Sequence, residues 1–123
     1  MASVESLLIE WLGNIGEKSG FPSSEKSLIA FDKINEIVES GADSAWVIIE
    51  TGIEIYGDDE YRLGQIAAGP LEDALSFHGA VLIEWVEKKA QTNEALLKML
   101  GMLYKFQMSD QVWKRVQRLL KND

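Results

Sequence analysis

The chain has 123 residues, no cysteine, one histidine and a formal net charge of -8. This length suits one domain with its own hydrophobic core, and we predict a single domain over residues 1–123. The absence of cysteine excludes a disulfide framework and a zinc site with sulfur ligands, and it fits the reducing cytoplasm. No apolar run approaches the ~20 residues that cross a bilayer, so we expect a cytoplasmic protein that does not bind membranes.

Charge is distributed unevenly along the chain. Residues 1–87 contain four Lys or Arg and seventeen Asp or Glu, a subtotal of -13, whereas residues 88–123 contain eight and three, a subtotal of +5. The acidic part lacks the basic footprint that a nucleic-acid backbone requires, so we expect no nucleic-acid partner. It suits a basic protein partner, whose approach its field would accelerate. A solvated surface that maintains solubility is the alternative.

Apolar residues at helical spacing predict two helices before residue 41. Ser3 is the expected cap of the first helix, which ends near Gly16, and a turn cluster at 20–24 separates it from the second, which stops at Gly41. The apolar stripes are Val4, Leu7, Leu8, Trp11, Leu12 and Ile15 in the first helix, and Leu28, Phe31, Ile34 or Asn35, and Val38 in the second.

A third helix is predicted up to Gly57, with Asp43 or Ser44 as its cap. The segments 46–49 and 53–56 also have the composition of strands. No other segment offers a partner strand, and a lone hairpin is marginally stable, so helix is the preferred prediction. Its apolar face is Trp46, Ile49, Ile53 and Tyr56.

The centre of the chain predicts a helix break followed by a short helix. The cluster Asp58-Asp59-Glu60 opens a fourth helix. Proline has no N–H and clashes inside a helix, so Gly69-Pro70 should end that helix and start the next one. Gly79 then serves as a left-handed stop.

The only histidine, His78, lies in the last turn of that short helix, where we predict a structural, capping role. A Ser/His/Asp relay would need this histidine, and the chain has no P-loop, dinucleotide-binding or His-Glu-x-x-His motif. Glu72 and Asp73 lie in the first turn, where free N–H groups favour negative charge. We therefore expect no catalytic residue, cofactor or metal. The enzyme alternative is a metal-dependent hydrolase that combines Glu72 and Asp73 with the cluster Asp58-Asp59-Glu60.

Three further helical stripes follow Gly79, with caps expected at Thr92 or Asn93 and at Ser109 or Asp110. The last helix is amphipathic with a basic outer face. The stripes are Val81, Leu82, Trp85, Val86 and Lys89 or Ala90; Leu96, Leu97, Leu100, Leu103 and Tyr104; and Val112, Trp113, Val116, Leu119 and Leu120, opposite the basic residues Lys114, Arg118 and Lys121.

These elements predict an all-α fold of about six or seven helices. Antiparallel helical hairpins can form either an irregular bundle or a short HEAT-like stack. The stack depends on a faint internal repeat, in which Leu8-Ile9-Glu10-Trp11 recurs as Leu82-Ile83-Glu84-Trp85.

The predicted partner-binding residues are aromatic side chains surrounded by carboxylates. Aromatic anchors supply most of the energy in binding hot spots, and acids supply steering and register toward a basic partner. The alternative is that Trp46 belongs to the core. The predicted set is Asp43, Trp46, Glu50, Glu54, Asp58, Asp59, Glu60 and Tyr61.

A run in the middle of the chain, Ala67-Ala68-Gly69-Pro70-Leu71-Glu72-Asp73, followed by His78-Gly79, resembles the hallmark of a family of small bacterial proteins of unknown function. That hallmark is Ala-Gly-Pro-Leu-Glu-Asp-Leu-Leu before a His-Gly pair, and Ala74 stands where the family usually has Leu. Trp46 and the Val-Trp-x-x-Val segment at 112–116 resemble its flanking features. The resemblance covers roughly residues 43–120 and implies an all-helical protein of the bacterial cytoplasm, with no established activity.

The resulting hypothesis is a non-enzymatic bacterial binding protein, a monomer or a homodimer. Proteins of this size and acidity are often immunity proteins, so an inhibitor that blocks a basic toxin with its acidic surface is the specific expectation. The metal-dependent hydrolase and a structural adaptor or homodimer that uses the Trp113 helix are the alternatives.

Overall fold

The computed structural model describes residues 3–13 and 24–121. These residues form seven α-helices and one π-helical segment, and they contain no strand. The all-α prediction is confirmed, and the helices pack as a bundle. They are α1 (Val4–Leu12), α2 (Glu25–Ser40), α3 (Ala42–Tyr56), α4 (Glu60–Ile66), the π segment (Ala67–Leu71), α5 (Glu72–Ala90), α6 (Glu94–Leu100) and α7 (Asp110–Lys121).

Short polar side chains start most of these helices. Each accepts the backbone N–H three residues further on, at 2.9 to 3.2 Å, which satisfies a donor that the first helical turn leaves free. The predicted caps of α1, α6 and α7 are confirmed in this way. The capping residues are Ser3, Ser24, Asp59, Asn93 and Ser109.

Helix α3 begins differently. Gly41, in extended backbone, precedes it without a side-chain cap, and the expected caps Asp43 and Ser44 lie inside the helix, so that prediction is wrong. The end of α3 at Gly57 and its helical character are confirmed. The predicted helix-one residues Ile15 and Gly16 and the turn residues 20–23 lie outside the described part of the chain.

Helices α4 and α5 are joined without a break, so the predicted interruption at Gly69-Pro70 is wrong. Pro70 is buried inside the π segment. Because its ring would clash with the carbonyl group four residues earlier in an α-helix, the chain needs a wider turn at this point. The π turn accommodates the proline and the helical path continues.

The predicted stop at Gly79 is also wrong, because α5 runs on to Ala90. His78 has φ -128 and ψ 24, which kinks the helix without ending it. Its Nε2 atom lies 2.8 Å from the carbonyl oxygen of Val38 in the last turn of α2, so the ring binds the end of another helix and does not cap its own. Gly79 is buried under Val112 of α7, and a Cβ atom at position 79 would come within 2.8 Å of the Val112 Cγ2 atom. The glycine is required for a close helix crossing.

All seven α-helices contribute to one hydrophobic cluster, with α3 at its centre. Helix α3 contacts α1, α2, α4, the π segment and α5, and α1 packs against both α2 and α3. Ile9 is exposed whereas Ile83 is buried, so the two Leu-Ile-Glu-Trp segments lie in different environments. None of the described helices combines the length and apolar character that a membrane crossing requires.

Several predicted stripes are rotated relative to the buried faces. The buried face of α3 is centred on Ile48, Ile49 and Gly52, and it leaves Trp46 and Tyr56 half-buried at its edges. Three predicted stripe residues are exposed on the surface: Leu28, Val81 and Tyr104. In α2, Ser27 and Ala30 face the core in place of Leu28. Val81 lies on the outer side of α5 after the kink, and Tyr104 lies beyond the end of α6 at Leu100.

Candidate functional site

The outward face of α3 brings four of the predicted partner-binding residues into one line. Asp43, Trp46, Glu50 and Glu54 follow one another at spacings of three or four residues, the repeat that places side chains on the same side of a helix. At about 1.5 Å per residue the line extends for roughly 16 Å. Val47, which is also exposed, lies beside it. This face is opposite the buried stripe of α3.

The other four predicted residues lie beyond the end of α3, at the start of α4: Asp58, Asp59, Glu60 and Tyr61. Asp59 has a structural role, because it caps α4 and its Oδ2 atom lies 2.8 Å from Nη1 of Arg62. The backbone N–H of Arg62, together with its guanidinium, holds the pKa of Asp59 below its usual value. Glu60 and Asp58 are both exposed. Glu60 pairs with Lys98 of α6 at 3.3 Å, whereas Asp58 forms no ion pair with any described residue.

A cleft of about 530 Å³ opens beside Trp46, between α3 and the end of α5. The ring centroids of Trp46 and Trp85 lie 6.2 Å apart at an interplanar angle of 54°, a tilted contact of the kind that aromatic pairs prefer. Glu50 Oε2 and Lys89 Nζ form an ion pair at 3.3 Å across the same cleft. The lining residues are Trp46, Glu50, Trp85, Lys88, Lys89, Gln91 and Thr92.

The α5 side of this cleft was missing from the predicted site. Trp85 and Lys89 were assigned to a packing face, and Lys88 was given no role. On a helical wheel, Trp85 falls at the edge of the stripe that contains Leu82 and Val86, which was the available signal. That this edge meets Trp46 depends on how α5 packs against α3.

Ion pairs divide the exposed carboxylates into two groups. Lys or Arg side chains from α5, α4 and α6 pair with Glu50 at the cleft and with Asp59 and Glu60 at the start of α4. Others form no ion pair with any described residue: Asp43, Glu54 and Asp58, and on the outer side of α2 also Glu36 and Glu39. The negative charge available to a partner therefore lies at the two ends of the α3 line and along α2.

Glu72 and Asp73 require a different explanation from the predicted one. The backbone N–H of Glu72 already bonds to carbonyl groups of the π segment, so the carboxylates do not stabilise free N–H groups at a helix start. Burial raises the pKa of both carboxyls, and Glu72 also accepts the N–H of Tyr104 at 3.5 Å. Neither carboxylate has an ion-pair partner among the described residues.

The metal-dependent hydrolase alternative requires the two groups of acids to lie close enough together to share a metal ion. Within residues 3–13 and 24–121, no group of three or more His, Asp or Glu side chains is placed to hold a metal ion. The cluster Asp58-Asp59-Glu60 and the pair Glu72 and Asp73 therefore do not converge on a shared metal position.

Residues 19–123 match the model of a family described as "Family of unknown function (DUF6869)". No curated protein and no solved structure matches the chain.

Proposed function

We propose a function on the premise that this chain belongs to the DUF6869 family, whose function is unknown. The chain acts as a non-enzymatic protein-binding domain that recognises a basic protein through the outward face of α3. Its specific role is that of an immunity-type inhibitor, which neutralises a basic toxin in the bacterial cytoplasm. Behind this face, residues 67–79 join α4 to α5 without a break.

The observation that carries the proposal is the pair of half-buried indoles, Trp46 and Trp85, in a cleft along the α3 line, whose end residues Asp43 and Glu54 are unpaired within the described residues. Tryptophan is among the residues most enriched in binding hot spots, because a large rigid ring gains much contact area at low entropic cost. An apolar or aromatic side chain of the partner is expected to pack against these rings inside the cleft.

The charges around the cleft specify how the partner is oriented. Lys88 and Lys89 lie on the α5 rim, which disfavours a cation there. Asp43 and Glu54 lie at the two ends of the α3 line and are unpaired within the described residues. The partner's basic side chains are therefore expected over α3, on both sides of an apolar anchor that enters the cleft.

The experiment uses the purified protein encoded by the gene next to this chain's own gene. Its affinity is measured by titration calorimetry at about 50 and about 500 mM NaCl, across which screening weakens contacts between exposed charges. The double variant Asp43→Asn with Glu54→Gln is expected to weaken binding and to flatten the salt dependence. The matched control, Glu5→Gln with Glu94→Gln, removes two exposed charges elsewhere and is expected to change neither.

A third variant, Trp46→Leu, separates the anchor from the charges. We expect it to cost about 2 kcal/mol of binding free energy, the threshold of a hot spot, with the salt dependence unchanged. Absence of binding at micromolar concentrations, affinity that ignores salt, or an equal loss in the control pair would contradict the proposal.

A further inference from the structure

A second cavity lies on the other side of the molecule, where α7 crosses α5. Because Gly79 has no side chain, Val112 of α7 approaches the α5 backbone closely. A groove of about 420 Å³ opens beside this crossing, within the size range of small-molecule sites. Its apolar lining is provided by Ala80 and Ile83 of α5 and by Val112.

The polar lining of the groove is cationic. Lys114, Arg115 and Arg118 line it, and no carboxylate is among its lining residues. Arg115 is anchored by Glu87 of α5 through two hydrogen bonds, one of them 2.9 Å from Nε to Oε2, so its charge is largely compensated. Lys114 and Arg118 are exposed and form no ion pair with any residue that the structure describes.

The nearest other carboxylates form no ion pair with these two cations, and act on them only from a distance, Asp110 on Lys114 and Glu87 on Arg118. Asp110, one turn before Lys114, pairs with Lys105 at 2.9 Å. Glu84 is exposed on α5 and acts on Arg115 from a distance without forming an ion pair. In a chain whose net charge is -8, two unpaired cations beside an apolar cavity form a local environment of the opposite sign.

Two neutral groups on the rim complete the lining. Ser109 Oγ accepts the N–H of Val112 at 3.2 Å, so its own hydrogen remains able to donate. The Gln111 amide, which is exposed, supplies further donors. Donors of these kinds suit oxygen atoms that carry negative charge.

We propose that the α5/α7 groove binds a small organic anion, whose carboxylate or phosphate group is held by Lys114 and Arg118 and whose apolar part lies against Ala80, Ile83 and Val112. This site is independent of the α3 face and does not rest on the proposed function. The competing explanation is a solvated basic helix face without any ligand. A groove site predicts that an anion binds at one place, whereas a solvated basic face predicts that it contacts every exposed cation alike.

The test follows ¹⁵N-labelled full-length protein by NMR during titration with phenyl phosphate, benzoate and inorganic phosphate. Saturable shifts confined to residues 79–84 and 109–118 are expected with the aromatic anions. Inorganic phosphate, which lacks an apolar part, is expected to bind more weakly. The ratio of the phenyl phosphate and benzoate affinities distinguishes a phosphate ligand from a carboxylate ligand.

Matched charge variants decide between the explanations. Lys114→Gln with Arg118→Gln is expected to weaken binding of the preferred anion about tenfold, since it removes two charge-assisted contacts. Lys26→Gln with Lys33→Gln removes two exposed charges on α2, away from the groove, and should leave the affinity within about twofold. Shifts spread over every cationic surface, no saturation, or equal weakening in both double variants would overturn the proposal.

Discussion

The outward faces of α3 and α7 have opposite charge, and folding leaves different parts of that charge available. Around α3, basic residues from three other segments pair with Glu50 at the tryptophan cleft and with Asp59 and Glu60 beyond the helix. Asp43 and Glu54, at the ends of the α3 line, are unpaired among the described residues. On α7, Glu87 pairs with Arg115 and leaves Lys114 and Arg118 beside the groove. A binding surface on this protein is therefore defined by the charges that tertiary contacts leave unpaired.

The two cavities also differ in their apolar surface. The cleft on the α3 side is built on a pair of indole rings, whereas the α5/α7 groove has only small and aliphatic side chains below its cations. Large rings favour an inserted protein side chain, and an aliphatic floor below unpaired cations favours a small amphiphilic anion. The variants below alter one side of the molecule at a time.

The largest effect is expected from Gly79→Val, which breaks the α5/α7 side. The added Cβ would lie 2.8 Å from the Val112 Cγ2 atom, and a short branched side chain cannot move aside easily. We expect the free energy of unfolding to fall by roughly 1–3 kcal/mol, the usual range for overpacking, in urea titrations followed by circular dichroism.

Two further variants test the cause of that loss. Gly64→Ala, in α4, places its Cβ at an ordinary 3.4 Å from Met102 Sδ and should be neutral or stabilising. Val112→Ala should reduce the cost of a larger residue at position 79, which a double-mutant cycle measures. Equal costs at positions 64 and 79, or no coupling to Val112, would show that the close crossing is not the reason.

An intermediate effect is expected for the tryptophan pair on the α3 side. The variants Trp46→Leu and Trp85→Leu, alone and combined, form a double-mutant cycle. From the tilted ring contact at 6.2 Å we expect a coupling of roughly 0.5–1.5 kcal/mol in the free energy of unfolding. Strict additivity would mean that the rings do not support each other, and the cleft would then lack a preformed anchor site.

The smallest effect is expected from the half-buried pair Glu87 and Arg115. The side-chain hydrogen bond from Arg115, helped by the charge of Arg118, lowers the pKa of Glu87. A carboxyl group with a lowered pKa stabilises the fold above its unfolded pKa, and the stabilisation is lost as the pH falls through the folded pKa. Glu87→Gln should therefore have a lower melting temperature than the parent at about pH 7, and the difference should shrink as the pH falls through the folded pKa of Glu87.

The control for the pH prediction is Glu94→Gln, which lies on α6 and forms no ion pair with any residue in the described ranges. Its difference from the parent should not change with pH in the same way. A difference for Glu87→Gln that stays constant from neutral to acidic pH would contradict the assigned cause.

Much of the helix content could be predicted because its causes are local. The caps Ser3, Asn93 and Ser109 act on backbone groups three residues away, and the end of α3 at Gly57 needs no distant contact. The line of Asp43, Trp46, Glu50 and Glu54 was predictable as one helix face for the same reason.

The helix ends predicted at Pro70 and Gly79 were wrong because the backbone at each residue is determined by packing against other parts of the fold. Both have local preferences that normally end helices. Here the burial of Pro70 in a π turn and the packing of Val112 against Gly79 outweigh those preferences, since the bundle would lose continuous contacts if α5 were interrupted. His78 likewise bonds to Val38, which is forty residues earlier in the sequence.

Periodicity and capping in the sequence therefore specify the helical class, the starts of α1, α6 and α7, the end of α3 and the acidic character of the α3 face. Tertiary structure decided which charges remain free and which side chains share a cavity. Trp85 joins Trp46, and Lys114 and Arg118 join the apolar surface of α5, only because α5 passes between α3 and α7 as one helix. Such pairings depend on packing between residues far apart in the chain, which helical spacing does not specify.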